Sequence, residues 1–196
     1  MEMLDKAVVN RKLKTSQLYF QLVNKEKVPS ASVIWCNLSL PKHKFILWQA
    51  SLRHLLTRDN LLRCHLQLTS YLCPICEVQQ ECHEHLFFQY QFAQQVRNRV
   101  ASWLGSEVWP ECFHEWINWM EGKPKGIQQK VVAGGLAASV YLVWWNRNQC
   151  LFNSFSVSVS KTVSQVQECV RARVSILSQA KLKSKKIVFL KKLNLL

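Results

Sequence analysis

Apolar residues recur at three- and four-residue steps along most of this chain, the spacing of helices that bury one face. Thr15-Ser16 is placed to cap a short helix carrying Leu18, Tyr19, Leu22 and Val23, and Pro29 marks a break over residues 25–30. Residues 32–38 are apolar and short, compatible with either helix or extended chain. Ser39-Leu40-Pro41 reads as a helix start, because proline is tolerated in a first turn. Phe45, Trp48, Gln49 and Leu52 then share one mostly apolar face. Thr57 is placed to cap a second short helix reaching Cys64. Residues 65–82 show little periodicity. From Glu84 the steps Leu86, Tyr90, Ala93, Val96, Val100 and Trp103 predict one long helix, with Gly105 placed to end it.

Phe113, Trp116, Ile117 and Met120 predict a further short helix, stopped by Gly122 and Pro124. Residues 126–151 predict a long buried helix. Its nearly apolar core, Val131 to Trp145, has 15 residues, contains Gly134 and Gly135, and is bracketed by Lys130 and Arg147. A bilayer span needs ~18–20 residues, so burial in protein is the expectation. Val159, Val163, Val166, Val170, Val174 and Leu177 form the stripe of an amphipathic helix, an assignment resting on period because β-branched residues are indifferent helix formers. Residues 154–160 alternate Ser with Phe or Val, as a linker or short strand. From Lys181 onward there are six Lys and no acid, the composition of a frayed tail. The expected fold is mainly α: a small helical domain with a zinc-knuckle-like loop, long C-terminal helices and a basic tail.

Composition supports this. The chain has 196 residues, 48% hydrophobic, with 8 Trp and 9 Phe, ample for a core and unlike a disordered chain. Only 5 Gly and 5 Pro are present, few for the turns of a sandwich or barrel. The net charge of +14 is uneven: residues 1–60 hold ten Lys/Arg against four Asp/Glu, residues 61–125 five against seven, and residues 126–196 eleven against one. The basic ends are an electrostatic footprint for phosphate polymers, or else simply a solvated lysine-rich surface. No secretory signal is legible at the start, where Glu2, Asp5 and Lys6 interrupt any apolar run. The expected location is intracellular, nuclear or cytoplasmic, where eight Cys point to metal binding or burial rather than disulfides.

The strongest chemical constellation is Cys73-Pro74-Ile75-Cys76 followed by His85. Two cysteines separated by two residues let a tight turn aim both thiolates at one point, and zinc favours thiolate with imidazole. At the start of the expected long helix, His85 is placed to close back on the knuckle. Cys36, Cys112, Cys150 and Cys169 sit among apolar residues, where core packing is expected. His54 and His65 flank a short helix and are expected at the surface. At least one of Trp144 and Trp145 is expected in the core, although either ring can stack on bases.

An ordered series of motifs runs through Trp35, Leu40-Pro41-Lys42, Phe45 to Trp48, Leu56-Thr57-Arg58-Asp59-Asn60-Leu61, Cys73-Pro74-Ile75-Cys76 and Glu84-His85-Leu86-Phe87-Phe88. It resembles the zinc-binding domain of reverse transcriptases, which follows the polymerase in plant LINE-type retroelements and also occurs in stand-alone derivatives. Val143-Trp144-Trp145-Asn146-Arg147-Asn148 and Phe152 resemble the family's downstream segment, so the likeness covers roughly residues 15–155. It implies zinc held by Cys73, Cys76 and His85. The family has its fourth ligand, a cysteine, five residues after the histidine; here that residue is Tyr90, and a phenol is a poor zinc ligand beside a thiolate. Cys82, three residues before His85 and on the same face of a helical turn, is the best substitute. His83 is a weaker one for direction, and Cys64 for distance. The domain reading is an arm over 1–14, the zinc-binding domain over 15–105, a helical extension over 106–180 and the basic tail over 181–196.

Catalytic signatures are missing. Two-metal phosphoryl chemistry needs clustered carboxylates, and the chain has two aspartates, Asp5 and Asp59, with Glu77, Glu81 and Glu84 around the knuckle in no catalytic spacing. There is no Gly-rich phosphate loop, no Gly-x-Ser-x-Gly and no His-Glu-x-x-His. The expectation is a non-enzymatic, retroelement-derived zinc-binding module without catalytic residues. It is read as assisting weak, salt-dependent RNA or DNA binding through Arg171, Arg173, Lys181, Lys183, Lys185 and Lys186, with no membrane partner. The alternative is a protein-interaction module or a degenerate remnant without metal or retained activity.

Overall fold

The computed structural model describes residues 8–9, 12–13, 31–105, 109–122, 126–177 and 184–195, and the chain divides into two compact units, residues 1–31 and 32–196. In the first unit β1 (Val8–Val9) pairs antiparallel with β2 (Lys12–Leu13), Val8 opposite Leu13. The helix expected over Leu18 to Val23 lies outside the described residues.

The second unit is helical, so the fold is mainly α. Its described elements are α1 (Ala31–Ile34), α2 (Pro41–Ser51), α3 (Arg58–Arg63), a π-helical turn (His85–Gln89), α4 (Gln91–Trp103), α5 (Phe113–Glu121), α6 (Ile127–Asn153), α7 (Val159–Val174) and α8 (Ser184–Lys192). At 27 residues α6 is the axis of the core: every residue from Val131 to Val140 is buried. Around it pack α2, α4, α7 and α8. A Cβ at Gly135 would stand 2.9 Å from Leu104 Cδ1, so the missing side chain lets the end of α4 close on α6. No described helix is long and apolar enough to cross a membrane. Among the described residues, those of 32–105 and those of 109–177 contribute to one and the same core.

Pro41 opens α2 as expected, Gly105 follows α4 at φ +70°, and Val166, Val170 and Val174 bury the stripe of α7. Residues 155–158 form an irregular linker, not a strand. Four local expectations are corrected. On α2 the inward face is His43, Leu47 and Ala50, while Phe45 (52% exposed) and Leu52 (46%) point outward. Because this helix carries large apolar residues all round, period alone does not choose its face; packing of His43 on Tyr141 of α6, ring centroids 4.6 Å apart, does. Thr57 precedes α3 but does not cap it by side chain, its hydroxyl bonding Asp59 instead. The long helix expected from Glu84 is two pieces, since Tyr90 adopts an extended conformation (φ −65°, ψ 125°) with its N–H donating to His85 O at 2.7 Å. The tail is not frayed over residues 184–195: α8 forms there and Leu190, Leu193 and Leu195 are buried. Trp103 Nε1 and Arg171 Nε hold it, donating to the carbonyls of Leu193 and Asn194 at 3.2 and 3.0 Å.

Arg147 does not merely bracket an apolar run. It is buried at 2% exposure, and its Nε and Nη2 donate to Oε1 and Oε2 of Glu81, itself 1% exposed, at 2.7 and 2.6 Å. The N–H of Arg58 donates to the same carboxylate at 2.9 Å, and the Trp144 ring lies 4.9 Å from the guanidinium. Breaking a buried pair from one side strands the other charge, at a cost of about 3–5 kcal/mol, whereas replacing both by apolar residues is often neutral. Glu81→Leu and Arg147→Met are each expected to destabilise by that amount, and the double variant to recover most of the loss. Chemical denaturation of the four proteins measures the cycle; additive single effects would show that the two side chains do not act as a pair.

Candidate metal centre

The knuckle is built by a short hairpin around residues 72–80. Leu72 and Gln80 form an antiparallel bridge, and Cys73 N–H donates to Gln79 O at 2.7 Å. Pro74-Ile75-Cys76 makes the turn, closed by Glu77 N–H on Cys73 O at 2.9 Å. Glu77 completes the reversal with a left-handed backbone, φ 54°, unusual for a residue with a side chain. One residue past the bridge, Glu81 donates its N–H to Tyr71 O at 3.1 Å, and its carbonyl accepts from Asp59 N–H at 3.2 Å. The hairpin is thereby fastened to α3 by backbone and to α6 by the Glu81–Arg147 pair.

The π-helical turn presents His85 to this hairpin. Ligand atoms of Cys73, Cys76 and His85 all lie within 4.8 Å of one another, with Cys76 Sγ and His85 Nε2 3.4 Å apart. Donors bound ~2.0–2.3 Å from one zinc ion stand roughly 4 Å from each other, so two thiols and an imidazole at this spacing fit a zinc ion in both chemistry and size. Burial pushes the Cys73 thiol up to about 11. Burial also works against ionisation of Cys76, but the backbone N–H groups of Gln79 and Val78 outweigh it and hold that thiol below its ordinary value. Burial lowers His85, favouring the neutral imidazole that a metal requires.

The other sequence candidates are placed elsewhere. Cys82 is outside the three-residue group, its Sγ accepting from His85 N–H at 3.4 Å. Thus it shares a turn with His85 but meets its backbone, not its ring. His83 is buried with Nδ1 3.3 Å from Thr57 Oγ1, and Cys64 is exposed at the end of α3. Tyr90 packs beside the group, its ring centroid 6.1 Å from that of His85 and 5.9 Å from that of Phe92. Burial, with the Cys73, Cys150 and Cys76 sulfurs nearby, pushes its phenol up to about 12. Cys36 is buried, whereas Cys112, Cys150 and Cys169 are half-buried; His54 and His65 are exposed. Trp144 and Trp145 are both half-buried.

Of the basic residues, Arg171 donates to Asn194 O, and Arg173 Nη2 donates to Asn37 O at 2.7 Å. Lys181 and Lys183 lie outside the described residues, as do the side chains of Lys185 and Lys186 on α8. The residue that sequence reasoning misses is Glu81. Its one legible signal is its partner, Arg147, a lone charge two residues past the apolar run of α6.

Residues 13–96 match the sequence model of a family described as zinc-binding in reverse transcriptase. Neither a curated protein nor a solved structure matches the chain. Residues 13–96 therefore belong to the reverse transcriptase zinc-binding family, and this domain is an accessory one, distinct from a catalytic polymerase domain.

Zinc uptake by this group must strip protons from thiols, and Cys73, near 11, is protonated at neutral pH. Metal binding should therefore release protons, and the apparent affinity should rise with pH and fall as the solution is acidified. Titration calorimetry in buffers of different ionisation enthalpy measures the release; none at neutral pH would reject ligation by Cys73.

Proposed function

We propose that this chain is a non-catalytic, retroelement-derived zinc-binding module that assists nucleic-acid binding through its basic regions. The observation that carries the zinc part is the convergence of Cys73, Cys76 and His85 inside the segment that matches a zinc-binding family. Zinc, when bound, would cross-link the hairpin to the π-helical turn, adding its binding free energy to the stability of the fold. The protein's own contribution is to hold two sulfurs and a buried neutral imidazole at one spacing.

Charge supports the nucleic-acid part. Residues 126–196 hold eleven Lys/Arg and one acid, and the exposed positions among them include Lys161, Lys191 and Lys192. Interactions of this kind go to phosphates, so they carry little sequence preference and weaken as salt rises. Arg171 and Arg173 each commit a donor to a backbone carbonyl, so they divide their role between anchoring α7 and presenting charge. A reading as a protein-interaction module draws on a different feature: Trp35 (53% exposed) and Phe45 (52%) flank the half-buried Trp48 in an outward aromatic cluster.

The test is anisotropy with a mixed-sequence single-stranded RNA across a salt series. Affinity should fall steeply with salt, and Lys191→Glu with Lys192→Glu should weaken binding and flatten the slope by roughly 0.7 for each phosphate that is no longer neutralised. An affinity indifferent to salt would discard the electrostatic account. Failure to hold a protein partner on Trp35→Ala, with no RNA affinity in either protein, would favour the interaction reading.

A further inference from the structure

The three donors of the candidate centre leave a question of stoichiometry. A zinc ion in a structural site takes four ligands, while sites with three protein ligands complete the set from solution. Among the described residues the group of His, Cys, Asp and Glu donors closes at three, Cys73, Cys76 and His85.

Each neighbour that would supply a fourth donor is otherwise engaged or displaced. Cys82 Sγ accepts from the His85 N–H at 3.4 Å, on the backbone side of the turn rather than the ring side. The His83 ring is turned to Thr57, with Nδ1 3.3 Å from its hydroxyl, and packs near Phe87. Cys150 enters from α6, across a cavity of ≈ 400 Å³ that it lines together with Cys73, Arg58, Ser70 and Glu77. Tyr90 packs its ring between His85 and Phe92 and offers only a phenol. Cys76, by contrast with the fully buried Cys73, is half-exposed, so solvent reaches the group on its side.

We propose that the metal centre of this chain takes its fourth ligand from solution: a two-thiolate, one-imidazole site with an exchangeable position open to water and to small soft donors such as a free thiol. The proposal rests on the zinc-binding reading above and deepens it. It separates a centre that only staples the fold from one that also binds a small ligand. No bond beyond metal coordination forms or breaks; an incoming thiol loses its proton to solvent and replaces a water.

The experiment uses the whole chain loaded with zinc, and then with cobalt(II). X-ray absorption at the zinc edge should show two sulfur neighbours and two lighter ones. In the cobalt form, added mercaptoethanol should shift the visible ligand-field bands, and Cys82→Ser, Cys150→Ser and Tyr90→Phe should each keep the metal and the response. Tyr90→Cys should raise the sulfur count to three and abolish the response. If that variant does not fold, the count and the thiol response of the native chain decide alone. Three sulfurs in the native chain would overturn the proposal, and whichever serine variant lowers the count names the chain's own fourth ligand. Two sulfurs without a thiol response would overturn it too, and loss of metal in Tyr90→Phe would assign the position to the phenol. No metal uptake at all would instead remove the zinc-binding reading on which the proposal stands.

Discussion

The structure depends first on one buried ion pair. Arg147 and Glu81 are 66 positions apart, nearly inaccessible, and joined by two hydrogen bonds of 2.7 and 2.6 Å. Two charges removed from water are tolerated only when the geometry is good and the remaining lone pairs are satisfied. Both conditions are met here, since Arg58 N–H gives a further bond to the carboxylate and the guanidinium lies against Trp144. An apolar core holds elements together without dictating register. This pair dictates it: α6 must present residue 147 where the knuckle's return strand presents residue 81.

The consequence reaches the metal ligands. Glu81 is bonded through its backbone to Tyr71 and Asp59, one on each side of the hairpin's attachment. Cys73 and Cys76 hang from that hairpin, so the helix that begins beyond the family-matched segment, at residue 127, helps position ligands that lie within it. The imidazole arrives by a different route. A π-helical turn and the extended Tyr90 break what would have been a continuous helix, and the buried Leu86, Phe87 and Phe88 of that turn fix it in the core. π-helical turns are uncommon and collect at functional sites. Here the turn carries His85 at its first residue.

Much of this is legible in the sequence because it depends on local pattern. The helix α6 follows from its long, nearly apolar run and α7 from three- and four-residue steps, Pro41 and Gly105 mark helix ends by their backbone preferences, and the Cys-x-x-Cys turn with its distant histidine converges as the spacing suggests. What is not legible depends on partners far along the chain. The face of α2 escapes the pattern because Phe45, Trp48 and Leu52 are as apolar as the residues that turn inward, and only packing on Tyr141 selects between them. The break at Tyr90 is hidden because Leu86, Ala93 and Val96 keep a helical period across it, and period counts side chains, not backbone hydrogen bonds. The pairing of Glu81 with Arg147 is not legible because a charge in a sequence is read as solvated until its counter-charge is located.

The tail joins these observations to the charge distribution. Lysines at 185, 186, 191 and 192 suggest repulsion and fraying, yet the intervening leucine at 190 and those at 193 and 195 are buried. Leu190 on the helix and Leu193 and Leu195 just past it turn into the core, while Val188 stays exposed and Lys191 and Lys192 face water. A frayed tail would present its charge on a wandering chain, and binding a polyanion would cost the entropy of ordering it. Charge carried on a docked helix is already ordered, so a phosphate backbone, in the function proposed above, would meet a fixed array at less entropic cost. The same leucines that anchor α8 therefore set where positive charge stands, and the basic composition of the chain becomes a surface feature only through the packing of its apolar residues.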